Sequence, residues 1–160
     1  MINEKISEIV KKLAKRNQKI ATMESCTGGG LANAITNVSG SSEVFNFTAV
    51  TYSNEFKIKM GVSEKVIEEF SVYSKETANE MSKAIADFTS ADYGIGITGK
   101  LRSVDPNNNM GEDDVVFVSV FDKKNNLIYT NEVVAEKETR AKNKDLVILA
   151  VANLLQEILK

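Results

Sequence analysis

Histidine and tryptophan are absent from this chain of 160 residues, and it holds one proline, Pro106, and one cysteine, Cys26. Without histidine the commonest general base and the commonest metal ligand are missing, so any hydrolytic step must rest on other groups. A lone cysteine excludes an internal disulfide framework. No apolar run approaches the ~20 residues that a membrane-spanning helix needs, and Met1-Ile2-Asn3-Glu4-Lys5 opens a charged helix where a secretion signal would be apolar. A soluble, cytoplasmic protein without a membrane partner is therefore expected. With 20 basic and 22 acidic residues, the net charge of −2 gives no basic excess of the kind that grips a polyanion, which argues against nucleic acid as a partner.

An apolar content of 42% over this length suffices for one well-buried core and is too little for two ordinary domains, so a single domain over 1–160 is expected. Ile6, Ile9, Val10 and Leu13 recur at helical spacing and predict an amphipathic helix near 3–16 packed on a sheet. Residues 19–23 read as a buried strand, 31–36 as a helix led in by glycines, and 44–52 as a second strand. A short helix at 53–60 follows, with Lys57 one turn inside it. Ser63 and Ser74 resemble helix starts, the second placing Ala78, Met81, Ile85 and Phe88 on one face. Residues 92–98 read as a buried strand and 100–114 as a polar loop around Pro106. Strands at 115–121 and 127–134 flank Asp122-Lys123-Lys124-Asn125-Asn126, a hairpin signal, and a helix at about 139–159 closes the chain. Strands interleaved with helices, plus one hairpin, predict an α/β fold, a three-layer α/β/α sandwich on a mixed, mostly parallel sheet of about five strands.

The most informative stretch runs from Ala21 to Gly30. It sets Ser25 between an apolar strand and a glycine-led helix whose first amides are expected to be unpaired and to point at a bound anion. By position alone Ser25 reads equally as a helix N-cap or as a nucleophile. A serine hydroxyl needs a base, and without histidine the candidates are lysine, tyrosine or a carboxylate. Lysine qualifies when burial or a helix N-terminus lowers its pKa. Cys26, with no histidine or second cysteine beside it, reads as a small buried residue. Gly94, Gly96 and Gly99 spell GxGxxG, but within a strand and ahead of a polar loop, so a dinucleotide fingerprint is rejected. Glu112, Asp113 and Asp114 fall on that loop and imply no metal.

Glu24-Ser25-Cys26-Thr27-Gly28-Gly29 resembles the opening signature of the CinA C-terminal domain family, the nicotinamide-nucleotide amidohydrolases. Thirty-two positions after Ser25, Lys57 ends Tyr52-Ser53-Asn54-Glu55-Phe56-Lys57, which is similar to the family's Tyr-Ser-Asn-x-x-Lys motif. Val38-Ser39-Gly40-Ser41-Ser42, Gly96-Ile97-Thr98-Gly99 and Thr139-Arg140 follow in the family's order. The resemblance covers nearly the whole chain. It tips Ser25 and Lys57 from cap and solvated lysine toward a catalytic pair, and it implies the same sandwich fold and no cofactor. The reaction implied is deamidation of nicotinamide mononucleotide to nicotinic acid mononucleotide and ammonia, a step of pyridine-nucleotide recycling.

With that reaction the residues take expected roles. Ser25 attacks the carboxamide carbon and Lys57 accepts its proton, which requires the two within ~3 Å. The amides of Thr27, Gly28 and Gly29 are placed to hold an oxyanion. Glu24 either orients Lys57 or caps the glycine-led helix. Tyr52 and Asn54 enter through their motif, and Thr98 and Gly99 through a segment that lines the family's site. Arg140 matches the arginine of the family's Gly-Asp-Arg segment, preceded here by Glu138 and Thr139, and would grip phosphate with Gly28 to Gly30. Family members associate as homo-oligomers, and Phe45, Phe47 and Tyr73 are either an apolar contact surface or core. Because the first strand already lies at 19–23, the chain reads as a stand-alone version of the domain.

The sequence departs from the family after Gly99. Where relatives continue with Ala-Gly-Pro and further glycines, this chain has Lys100-Leu101-Arg102-Ser103-Val104-Asp105-Pro106-Asn107-Asn108-Asn109. A bulkier, more polar pocket wall is expected, with Lys100 and Arg102 either phosphate partners or solvated loop charges. The alternative reading is therefore a member that binds a nucleotide or other phosphorylated ligand with weak or no turnover.

Overall fold

Helical spacing of apolar residues builds one layer of the molecule, seen in a computed structural model that describes residues 1–102 and 110–160. Helix α1, Ile2–Lys15, buries the predicted stripe Ile6, Ile9, Val10 and Leu13, each side chain contributing about 1.5–3 kcal/mol by leaving water. It packs beside α2, Gly30–Thr36, and α6, Arg140–Ile158. Their apolar faces meet Ile20, Ile95, Ile97, Val116, Val118 and Val120 on one side of a central sheet.

The sheet has five strands: β1, Ile20–Glu24; β2, Phe45–Val50; β3, Tyr93–Gly99; β4, Val115–Asp122; and β5, Leu127–Val134. Their order is β2-β1-β3-β4-β5. β1 runs parallel to β2 and β3, whereas β3–β4 and β4–β5 are antiparallel. The sheet is thus mixed as expected, with β4 alone running against the other four strands. The chain returns from β3 to β4 by a loop, without the helical crossover that a parallel neighbour needs.

The other side of the sheet carries α3, Asn54–Lys59, α4, Glu64–Phe70, and α5, Lys75–Thr89. Period-two alternation in β1 sends Ala21 and Met23 to this side, against Met81 and Ile85, and Ile20 to the other. Ser63 and Ser74 cap α4 and α5, their hydroxyls accepting from the amides of Val66 and Thr77. Gly94 and Gly96 let α5 lie close on β3, since a Cβ at either would collide with the Ser82 or Ala78 carbonyl. The GxGxxG spacing is therefore a packing device. Phe88 departs from its expected face: the last turn of α5 leaves it exposed, its ring 5.4 Å from that of Phe47 on β2.

In the hairpin, Asp122 accepts from the Asn125 amide at 3.3 Å and from its Nδ2 at 2.8 Å, and Asn126 takes φ 54°. Pro106 and the asparagines at 107–109 lie outside the described residues. At the carboxyl ends of the parallel strands the chain leaves β1 toward β2 on one side and leaves β3 toward β4 on the other. Such a divergence opens a crevice where open α/β sheets bind ligands. Ser25 and Gly99 stand at its two lips.

Candidate active site

Ser25 follows the last residue of β1 and is anchored by its amide to the Ile97 carbonyl of β3 at 3.1 Å. Lys57 reaches it from the opposite face of the sheet. Ser53 caps α3, accepting from the Phe56 amide at 3.2 Å, and fixes the helix so that Lys57 points back toward the strand ends. The Lys57 Nζ lies 3.0 Å from Ser25 Oγ and donates to the Thr51 carbonyl at 2.6 Å. Only 2% of Lys57 is exposed. Burial, opposed in part by the Cys26 thiol group, lowers its pKa from 10.5 to about 8. In the neutral form the contact reverses, and the Ser25 hydroxyl donates to the amine. The Thr51 hydroxyl is itself buried and has no hydrogen-bond partner among the described residues.

Glu24 resolves to one of its two expected roles. Fully buried, its carboxylate accepts from Thr27 Oγ1 at 2.6 Å and from the amides of Leu31 and Ala32 at 3.0 and 2.9 Å. It therefore caps α2 from within the core, where the helix N-terminus favours a negative charge. This corrects the expectation that the first amides of α2 are unpaired. The Gly28 amide is also engaged, donating to the Ser25 carbonyl at 2.9 Å, and Gly30 donates to Thr27 at 3.0 Å. Among the described residues no such acceptor meets the amides of Thr27 and Gly29. Of the three amides expected to hold an oxyanion, those two are open and Gly28 is not. Gly28 and Gly29 take φ 59° and 95°, a bend that side chains with a Cβ disfavour.

The remaining predicted residues divide. Tyr52, just past β2, is exposed, and its hydroxyl accepts from the Arg140 Nη2 at 3.5 Å. Arg140 opens α6 behind Thr139, whose hydroxyl accepts from the Lys142 amide at 3.2 Å. The Tyr52–Arg140 contact joins the start of α6 to the segment between β2 and α3. Asn54 is exposed at the start of α3. Thr98 is fully buried and donates to the Val72 carbonyl at 2.9 Å, fastening the segment before α5. Gly99 is held against β4, where an added Cβ would meet the Val116 backbone.

Lys100 meets neither of its expectations. It is 3% exposed, with its Nζ 3.2 Å from Asp113 Oδ1 and 4.9 Å from the Tyr73 ring centre. The wall after Gly99 is thus a packed lysine, while Arg102 is exposed. Cys26 is buried, and that burial pushes its thiol up to about 12, so it is no competing nucleophile. Of the expected contact surface only Phe47 is exposed; Phe45 and Tyr73 pack in part against the two cores. Among the described residues no group of carboxylates, thiols or imidazoles converges on a metal-sized site, and no helix is long and apolar enough to cross a membrane.

Sequence reasoning did not single out the Thr51 carbonyl, because a main-chain acceptor leaves no mark in residue type. It also passed over Lys144, whose Nζ stands 3.5 Å from the position of a Cβ on Gly28. Its one signal is the four-residue step from Arg140.

The same architecture occurs in solved structures. A competence-damaged protein (CinA) superfamily protein from Klebsiella pneumoniae superposes with a TM-score of 0.87 at 24% identity, covering 99% of this chain and 98% of the other. One from Escherichia coli superposes with a TM-score of 0.81 at 27% identity, covering 99% and 89%. In sequence, a protein named competence-damage inducible from Thermoanaerobacter pseudethanolicus is 35% identical over 158 residues, which is 98% of this chain and 37% of that protein. A CinA-like protein from Prochlorococcus marinus is 34% identical over 156 residues, 96% of this chain and 36% of its own length. The chain thus spans a little over a third of these relatives. Residues 3–159 match the family profile of the CinA C-terminal domain, and with the fold and relatives in agreement the chain belongs to that family.

Proposed function

We propose that this protein is an amidohydrolase that deamidates nicotinamide mononucleotide through Ser25 and Lys57. The observation that carries the reading is the 3.0 Å contact between Ser25 Oγ and the buried Lys57 Nζ, whose pKa of about 8 leaves roughly a tenth of it neutral at pH 7. Neutral Lys57 takes the hydroxyl proton as Ser25 Oγ bonds to the carboxamide carbon. The Thr27 and Gly29 amides face the developing oxyanion. As the C–N bond breaks, Lys57 returns the proton to the departing nitrogen, which leaves as ammonia. A water then loses its proton to Lys57, attacks the seryl ester, and releases the carboxylate while Ser25 regains its proton. No step calls on a cofactor.

The substrate assignment rests on the motif order and family membership. Arg140 and the glycine turn hold the phosphate, and Tyr52 closes the mouth beside Arg140. The test is ammonia release from nicotinamide mononucleotide by wild type and by Ser25→Ala and Lys57→Ala variants of checked folding. Activity lost in both supports the reading, and a folded but silent wild type overturns it.

The packed Lys100 favours one second reading, a member that binds a phosphorylated ligand without turnover. Calorimetric binding of the mononucleotide with no ammonia would establish it. The first reading also takes the protein as a cytoplasmic homo-oligomer that contacts a second copy through apolar surface such as Phe47 and Phe88, and sedimentation of the purified protein tests the association.

A further inference from the structure

We infer that the Thr51 hydroxyl is a further catalytic residue, which holds the water that hydrolyses the seryl ester in the second half of the reaction. This rests on the amidohydrolase reading and deepens it. Thr51 is 2% exposed, and its Oγ1 is buried with no hydrogen-bond partner among the described residues. Proteins pair nearly all such groups, and valine would fill the same space without the unmatched oxygen. The hydroxyl therefore calls for a partner that the described residues do not supply.

The register of the sheet places that hydroxyl beside the nucleophile. Glu24 and Val50 are paired across β1 and β2, and the Thr51 amide donates to the Glu24 carbonyl at 2.8 Å, so Ser25 and Thr51 are the next pair along. Val50 faces the glycine turn, its Cγ2 3.6 Å from the position of a Cβ on Gly29. Alternation turns Thr51 the other way, to the side where Ala49 packs with the cluster of Ala21 and Met23. Helix α3 lies on that side, with Ile58 against the same cluster, and brings Lys57 Nζ to Ser25 Oγ. Neighbouring strands run about 4.8 Å apart, so two hydroxyls in register are separated by a distance that one water bridges with two hydrogen bonds of about 2.8 Å.

The chemistry gives that water a task. In the first half of the reaction Lys57 takes the proton of Ser25 Oγ directly, across 3.0 Å. Once Ser25 is an ester its oxygen has no proton to give, and the nucleophile is a water that must be fixed against both the lysine and the acyl carbon. The Thr51 carbonyl already accepts from Lys57 Nζ at 2.6 Å. The water donates one hydrogen to the neutral Lys57 nitrogen and the other to Thr51 Oγ1, which leaves a lone pair for the acyl carbon. Lys57 takes the first proton as the water oxygen bonds to that carbon. The ester C–O bond then breaks, Lys57 passes its proton to Ser25 Oγ, and the acid released ionises.

The experiment compares wild type, Thr51→Val and Thr51→Ser in two assays, with Ser25→Ala as the control. The first follows para-nitrophenyl acetate, an activated ester whose acylation of a serine appears as a burst of nitrophenolate, so that the later steady rate reads deacylation. The second measures ammonia release from nicotinamide mononucleotide. Expected for Thr51→Val are a burst as large as that of wild type, a deacylation rate lowered tenfold or more, and a kinetic pKa for that step still near 8. Thr51→Ser, which returns the hydroxyl, restores the rate to within threefold of wild type. Equal deacylation by wild type and Thr51→Val overturns the inference, as does a Thr51→Ser variant as slow as Thr51→Val, or a wild type with no burst beyond that of Ser25→Ala. A wild type that shows the ester burst but releases no ammonia sinks the amidohydrolase reading, while the deacylation rates still decide the role of Thr51.

Discussion

Glu24 and Lys57 are both buried beside Ser25, yet no ion pair joins them. The carboxylate is surrounded by the Thr27 hydroxyl and the amides of α2, and the lysine by Ser25 and the Thr51 carbonyl. A paired carboxylate would hold the lysine charged and useless as a base. The helix N-terminus prevents this by binding the carboxylate through its own amides. Glu24 thus shapes the turn that carries Ser25, and Lys57 keeps its lowered pKa.

From this separation follows a prediction for Glu24→Gln. The amide retains one acceptor and turns donors toward donors, so stability falls by about 1–3 kcal/mol. The kinetic pKa assigned to Lys57 stays near 8, because no ion pair is lost. Chemical denaturation and the pH profile of kcat/KM check the two halves. A kinetic pKa that falls by a full unit in the variant shows that Glu24 does act on the lysine.

For the wild type, the base must be neutral to accept a proton. The value of kcat/KM for ammonia release therefore rises with pH to a plateau above about 8. Below it the rate falls about tenfold per pH unit, leaving roughly one hundredth at pH 6. A flat profile between pH 6 and 8 excludes Lys57 as the base.

Much of this site was legible before any coordinates. An apolar strand ahead of Glu24-Ser25 and a short helix carrying Lys57 put both groups just past strands, and the serines at 63 and 74 marked two helix starts correctly. What residue types cannot report is partnership across the fold. Glu24 had two eligible partners, and only the path of α2 over the strand end chose between them. Lys100 reads as loop charge because its burial depends on the path that brings Asp113, at the far end of the same loop, and Tyr73, distant in sequence, against it. Phe88 keeps helical spacing with Ile85, but spacing does not show where the sheet ends.

Lowering the pKa of Lys57 costs the folded state stability. A fall from 10.5 to about 8 amounts to about 3 kcal/mol while the group is protonated in both states. Between pH 8 and 10.5 the unfolded chain binds the proton and the folded one does not, so stability rises with pH and the penalty is gone above 10.5. Lys57→Met removes the group and its pH dependence. Relative to wild type, the variant is most favoured below pH 8 and loses about 3 kcal/mol of that relative advantage by pH 10.5. Urea denaturation of both proteins at pH 7, 8, 9 and 10 measures the difference, and parallel curves exclude the lowered pKa.

Thr51 separates stability from catalysis. Its carbonyl holds Lys57, whereas its hydroxyl is buried without a partner among the described residues, a state that costs about 1–3 kcal/mol in a protein interior. Thr51→Val keeps the shape and the carbonyl and deletes the orphaned group. It stabilises the protein by about 1 kcal/mol, read from denaturant midpoints, and leaves the kinetic pKa near 8. A gain in stability with an unchanged pKa assigns the tuning of Lys57 to the main chain and to burial. A kinetic pKa moved by a unit or more makes the hydroxyl part of the base, and the main-chain account then fails.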